Sequence, residues 1–225
     1  LRIAIFGGTF DPIHRGHLRI ARHVTRLLNL DRVVFVTAAR PPHKAAMSLT
    51  HACDRHAMVA LAVRGEKKFV ASNLELSSTV EKNYSIDTLT TMRSQLRARD
   101  ELFFIMGADQ FSEFGTWKSS EKLLSSVALV VVSRPGLPLK TLLQRCDKKV
   151  RCHVKLVSGI ARRPGRRRSR LSAAPPVVYF VPDVKIGISS TSIRDRIAAG
   201  KPVRRLLDPA VADYIRENRL YRQRT

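Results

Sequence analysis

The stretch RIAIFGGTFDPIHRGH, residues 2–17, decides the fold. Its opening is almost wholly apolar, the pattern of a strand buried on both faces. Gly7 and Gly8 then let the backbone turn sharply and bring its N–H groups close to a ligand. His14 and His17 stand three apart around Gly16, at the expected start of a helix, so both rings face the same way. A helix N-terminus attracts anions. The stretch therefore reads as a strand, a phosphate-approaching turn and a helix. It carries neither the GxGxxG pattern of dehydrogenases nor the GxxxxGK[ST] pattern of P-loop ATPases. No Glu, Cys or third His stands within it to complete a zinc site.

Working outward, near-continuous apolar runs recur at 32–37 (RVVFVT), 101–106 (ELFFIM), 127–132 (VALVVV) and 177–181 (VVYFV). Each has the buried-strand pattern. Between the first two strands, Leu18, Ala21, Val24, Leu27 and Leu28 share one face at helical spacing. Residues 51–63 and 85–98 read as helices, as does 208–218, where Asp208 is the N-cap and Pro209 the first helical position. Strands alternating with helices predict a parallel sheet with right-handed crossovers. The expected fold class is α/β, an open doubly wound (Rossmann-like), mostly parallel sheet flanked by helices. Ligands of such sheets bind at the carboxyl ends of the strands, where the opening motif lies.

The 225 residues suit a single domain, 1–225, because domains commonly hold ~100–200 residues. A hydrophobic share of 44% is enough for a substantial core, and no run of eighteen apolar residues predicts a membrane span. The strand pattern begins at the first residue, which predicts no signal peptide; the chain opens on Leu1 rather than Met, as a short trimming would leave it. Cys53, Cys146 and Cys152 form no even disulfide framework and suit a reducing cytoplasm. Together with His153 they match no usual zinc spacing.

Lys+Arg outnumber Asp+Glu by 41 to 18, giving +23, a field that draws phosphate-bearing partners. Residues 158–176, SGIARRPGRRRSRLSAAPP, read as a mobile, solvated Arg-rich loop with its arginines within Arg162–Arg170. They lack the interleaved aromatics on which bases stack, which argues against a nucleic-acid surface.

A second phosphate-friendly element is GISSTSIRDRI, residues 187–197. Ser189, Ser190 and Thr191 are helix-capping types, and Ile193 and Ile197 repeat on one face. Hydroxyls with free N–H groups make an anion nest, and Arg194 can reach back over it. With the opening loop, it suggests two helix N-termini closing on a polyphosphate.

Gly8 to His17 and Ile188-Ser189-Ser190-Thr191-Ser192-Ile193-Arg194 together resemble the nucleotidylyltransferase superfamily. Pro41-Pro42-His43-Lys44, Tyr84-Ser85-Ile86-Asp87-Thr88-Leu89, Gly107-Ala108-Asp109 with Trp117, and Ser133-Arg134-Pro135-Gly136 narrow the resemblance to bacterial nicotinate-nucleotide adenylyltransferases. The ordered set spans nearly the whole chain. The resemblance implies transfer of the adenylyl group of ATP to nicotinate mononucleotide, giving the deamido dinucleotide and pyrophosphate, with no covalent enzyme intermediate. It implies that His14, His17, Lys44 and Arg194 hold the phosphates and the moving charge. Gly7, Gly8, Thr9, Phe10, Arg134, Ser189, Ser190 and Thr191 bind the nucleotide phosphates, and Asp109 a ribose hydroxyl. Lys44, Ser85, Thr88 and Trp117 form the mononucleotide site, with Trp117 stacking on the pyridine and Ser85 meeting its carboxylate. Mg²⁺ arrives with ATP, since no carboxylate cage for it is visible in the sequence.

One departure concerns the acceptor. The family often has Asn shortly before the PPH[KR] motif, whereas Thr37-Ala38-Ala39-Arg40 stands here, so an amide contact is expected to be missing and Arg40 to replace it in part. Three alternatives share some features. Pantetheine-phosphate adenylyltransferases lack the PPHK and YSIDTL elements, a cytidylyltransferase rests on the first loop alone, and a basic nucleic-acid-binding protein leaves the paired histidines unexplained. Acid against amide acceptor stays open in part, as does a homo-oligomer.

Overall fold

A computed structural model describes residues 1–41, 49–78, 81–133, 141, 144, 148–156, 174–182, 184 and 187–222. The apolar runs become strands because only a sheet covered on both faces hides all their side chains. These strands are β1 (Arg2–Gly8), β2 (Arg32–Thr37), β3 (Phe69–Ser72), β4 (Glu101–Gly107), β5 (Ala128–Val132), β6 (Val154–Leu156) and β7 (Val178–Val181). They form one seven-stranded sheet in the order β3-β2-β1-β4-β5-β7-β6. Every ladder is parallel.

Side chains alternate across this sheet. Ala4, Phe6, Phe35, Phe103, Ile105 and Val130 face one layer, while Ile3, Ile5, Val34, Phe104, Met106 and Leu129 face the other. The first layer holds α1 (Arg15–Leu28), α2 (Ala52–Val63), α7 (Ser190–Ala198) and α8 (Pro209–Glu217). The second holds α3 (Ser85–Ser94), α4 (Ala108–Ser112), a 3₁₀ turn at Phe114–Thr116 and α5 (Ser120–Ser126). A short α6 (Lys148–Arg151) precedes β6. Fully buried residues such as Phe35 and Phe103 each contribute about 1.5–3 kcal/mol by leaving water.

The expected doubly wound sheet is present, and all five anticipated strands lie within a residue or two of their expected bounds. The helix expected over 85–98 ends at Ser94. The Arg93 guanidinium donates to the carbonyls of Arg97, Ala98 and Asp100, and the Asp100 carboxylate accepts from the Arg97 N–H, so these residues turn. β3 and β6 escaped sequence reading because they are very short edge strands. Among the described residues no helix is long and apolar enough to cross a membrane.

β1 lies between β2 and β4, with helices leaving on opposite faces. The chain segments after β1 and β4 therefore part, and a crevice opens at the carboxyl ends of these two strands.

Candidate active site

The opening motif lines one side of this crevice. A cavity on the α1/α7 side is bounded by Gly7–Asp11, His14, His17, Gly107, Gln110, Ser133, Ser189–Thr191 and Arg194. His14 is the N-cap of α1, and the His17 ring lies over it at 3.8 Å between centroids, nearly parallel. His17 Nδ1 accepts the His14 backbone N–H at 3.2 Å, which puts the proton of a neutral imidazole on Nε2. The Phe10 ring meets His17 edge-on at 5.1 Å. Phe10 takes a left-handed backbone with φ of 48°, and its ring lies under Gly8, where any Cβ would come within 2.9 Å of it. Gly7 and Gly8 are the extended end of β1 rather than the expected sharp turn, so Gly8 is favoured by close approach and not by a left-handed backbone.

The start of α7 faces the same cavity. Ser189 caps its own helix by accepting the Ser192 N–H at 3.1 Å, and the Ser190 hydroxyl donates to the Pro12 carbonyl at 2.9 Å. Arg194 Nη1 donates to the Asp11 carbonyl at 2.8 Å, and Nη2 lies 3.4 Å from Thr191 Oγ1. The Ser190 proton is thus committed to holding α7 against the opening loop, whereas Ser189 acts there as an acceptor. The first backbone N–H groups of the helix, which have no intrahelical acceptor, are donors for an anion.

Asp11 anchors the loop from beneath. It is 2% exposed, and its Oδ1 accepts the Tyr221 hydroxyl at 2.7 Å, from the far end of the chain. Burial and the Asp11 charge push the Tyr221 hydroxyl far above its ordinary range, so it stays a donor.

A second cavity opens on the α3/α5 side, lined by Gly7–Thr9, Ala38, Pro41, Glu75, Asn83, Tyr84, Ser85, Thr88, Phe104, Gln110, Trp117 and Lys118. Gly7, Gly8, Thr9 and Gln110 belong to both cavities and form the wall between them. Trp117 is half-buried, held edge-on to Phe104 at 6.4 Å and tilted against Phe114 at 5.8 Å. It presents an aromatic wall rather than a fully buried plug. Ser85 begins α3, so the open N–H groups of that helix face the cavity. Lys118 reaches over the Tyr84 ring at 4.4 Å on the rim and pairs with the exposed Asp87 carboxylate at 3.4 Å. Glu75 accepts from the Thr88 hydroxyl at 2.6 Å and the Ala39 N–H at 3.4 Å. Burial raises its carboxyl above the usual range, against those hydrogen bonds and the nearby Arg55 charge.

The anticipated residues thus sort into two groups. Gly7, Gly8, Thr9, Phe10, His14, His17, Ser189, Ser190, Thr191 and Arg194 meet at one cavity, and Ser85, Thr88 and Trp117 at the other. Lys44, Arg134, Cys146 and the Arg162–Arg170 run lie outside the described residues. Asp109 does not end a strand; it is in the first turn of α4, exposed, and in the wall of neither cavity. Gln110, one residue on, holds the partition, its Oε1 accepting the Gly107 N–H at 3.1 Å. Arg40 is outside the α3/α5-side cavity's lining, its guanidinium donating to the Ser78 carbonyl at 3.3 Å. Asn83 lines that cavity, and its Oδ1 accepts the Arg40 backbone N–H at 3.0 Å. Glu75, Asn83, Lys118 and Gln110 carried no sequence signal beyond lying near recognised motifs.

Residues 5–196 match the cytidylyltransferase-like family. A Thermus thermophilus protein named "Probable nicotinate-nucleotide adenylyltransferase" is 41% identical over 222 residues, covering 99% of this chain and 100% of that one. A Syntrophotalea carbinolica protein of the same name is 37% identical over 222 residues, with 99% and 98% covered. The fold is similar to that of Plasmodium falciparum nicotinic acid mononucleotide adenylyltransferase complexed with NaAD. The TM-score is 0.72 at 20% identity, with 98% of this chain and 97% of the other covered.

Proposed function

The chain belongs to the nicotinate-nucleotide adenylyltransferase family, a group of nucleotidyltransferases, and on that premise we propose how it joins ATP to nicotinate mononucleotide in NAD biosynthesis. A phosphate oxygen of the mononucleotide attacks the α-phosphorus of ATP in line. The new P–O bond forms as the bond to the β-phosphate bridging oxygen breaks, and pyrophosphate leaves with that electron pair. No covalent enzyme intermediate is needed, because both reactants are held on one scaffold. The observation that carries this reading is the pair of cavities sharing the wall of Gly7, Gly8, Thr9 and Gln110. ATP on one side and the mononucleotide on the other meet at that edge.

In this reading the His17 Nε2–H and the His14 ring donate to oxygens of the transferring phosphoryl group, where charge moves in the transition state. Arg194 and the N-terminus of α7 take the β- and γ-phosphates, with Lys44 and Arg134 adding charge. Trp117 stacks on the pyridine. Ser85, the first N–H groups of α3 and the Lys118 ammonium receive its carboxylate, and these donors favour the acid over the amide acceptor. Mg²⁺ comes as the counter-ion of ATP. Among the described walls of the ATP-side cavity the one carboxylate, Asp11, is buried and engaged by Tyr221. The same reading assigns the reaction to the cytoplasm, which the odd count of three cysteines suits.

The test is pyrophosphate release from Mg·ATP with nicotinate mononucleotide, nicotinamide mononucleotide and phosphopantetheine compared as acceptors. Release strongly preferring the nicotinate acceptor is expected. Preference for either other acceptor overturns the acceptor assignment, and no release with any of them overturns the reading.

A further inference from the structure

Arg55 lies on the first turn of α2 and is 1% exposed, yet nothing in the sequence marks it as part of a site. Its guanidinium bonds to backbone carbonyls from three separate segments. Nε donates to Thr50 at 2.8 Å, Nη1 to Thr9 at 2.8 Å and to Ala38 at 2.7 Å, and Nη2 to Ala39 at 3.2 Å. Two of these acceptors, Thr9 and Ala38, border the substrate cavities. Thr9 belongs to the wall between them, and Ala38 lines the acceptor side.

The β1–β2 ladder ends nearby, with Gly8 opposite Thr37 and the Ala38 N–H donating to the Gly8 carbonyl at 2.9 Å. Beyond that bond the two chains part, and the Arg55 guanidinium bridges the gap. A planar fork of five donors can hold carbonyls from several directions at once, which a single ammonium cannot. Burial lowers the Arg55 pKa, with Asp11 and Glu75 as the opposing charges that keep it cationic. A buried cation is an expensive way to fill a core position, where an apolar residue is often as stable or better. Its value here is geometric.

We propose that Arg55 is a positioning residue that fixes the distance between the ATP site and the mononucleotide site by tying the Thr9 wall to the end of β2. The proposal rests on the functional reading above. In-line transfer needs the reacting atoms within about 3–3.5 Å, and a 1 Å misplacement costs about 10²-fold in rate. Either substrate alone contacts one side of the wall, whereas a ligand spanning both sides reports their relative position.

The experiment compares wild type, Arg55→Lys and Arg55→Ala by calorimetric titration with ATP, nicotinate mononucleotide and the product dinucleotide, followed by turnover. In Arg55→Lys the dinucleotide is expected to bind at least tenfold more weakly while each mononucleotide changes less than threefold. Turnover is expected to fall about 10²-fold with little change in either KM. Millimolar guanidinium, below denaturing levels, is expected to restore part of the Arg55→Ala turnover, and ammonium none. If Arg55→Ala does not fold, the Arg55→Lys affinities decide alone. Uniform losses for all three ligands, or a folded Arg55→Lys with wild-type dinucleotide affinity, overturn the proposal. A wild type that binds the dinucleotide without turning over any acceptor overturns the functional reading and leaves the affinity comparison to decide Arg55. A wild type that binds none of the three overturns both.

Discussion

Removing one hydroxyl at the end of the chain should be felt at the ATP site. Tyr221 donates to Asp11 Oδ1 at 2.7 Å, while the other Asp11 oxygen has only a long 3.5 Å contact from the Thr50 N–H. Asp11 is 2% exposed, so water does not replace a lost partner. In Tyr221→Phe the ring keeps its packing, and what is lost is the hydroxyl with its bonds to Asp11 and Thr50. A hydrogen bond to a charged group contributes about 1.5–3 kcal/mol, and a buried acceptor left unsatisfied stays near the upper end. For a chain of this size each kcal/mol moves Tm by about 2–4 °C, so a fall of roughly 3–12 °C is expected. The Asp11 carbonyl also accepts from Arg194 at 2.8 Å, so a loosened Asp11 mis-aims that guanidinium. The KM for ATP should rise about two- to tenfold, within ~1.4 kcal/mol. The KM for the mononucleotide should hold, because Tyr221 lies outside the acceptor-side wall. Thermal unfolding with and without ATP, and initial rates at varied ATP, measure both effects. A variant with wild-type Tm and wild-type ATP KM would refute the claim that the carboxy-terminal tyrosine holds this loop.

His17→Ala should lower kcat by about 10²–10³-fold, the cost of losing one transition-state donor, while its melting temperature stays near wild type. Near-normal turnover in the steady-state assay would sink the catalytic role. Trp117→Ala should raise the acceptor KM roughly 2–10-fold, from a stacking contribution of about 0.5–1.5 kcal/mol, and leave the ATP KM in place. An equal rise in both would mean that Trp117 only supports the fold. Glu75 has its carboxyl raised by burial, so the folded state holds its proton more tightly than the unfolded chain does. Its contribution to stability is full below the ordinary carboxylate range and is lost as pH climbs through the raised folded value. Urea unfolding of Glu75→Gln at a series of pH values should therefore show the variant gaining on wild type as pH rises; a constant difference would contradict the assigned cause.

The parts of the site that were legible in the sequence are those written as contiguous stretches. The apolar run before Gly7, the His14–His17 pair and the Ser189–Arg194 helix start each carry a local signal, because turn, cap and helix register are set by neighbours a few residues apart. Trp117 and Ser85 were legible only through resemblance. The hydroxyls of α7 illustrate the limit of local reading. Their type suggested anion binding, but Ser190 gives its proton to the Pro12 carbonyl, while Ser189 accepts the helix-cap bond.

By itself the sequence determined a doubly wound sheet and the two phosphate-facing helix starts, because periodicity and capping act over one or two turns. Only the tertiary structure decided that these starts face one cavity, that Gln110 lies in the wall shared with a second cavity, and that Asn83 lines that second cavity. It also decided what lies beneath the site. Tyr221 reaches Asp11 from 210 residues away, and Arg55 joins carbonyls of three segments. Such contacts follow from strand order and crossover hand, which bring distant residues to one edge of the sheet. No local pattern of residues encodes them.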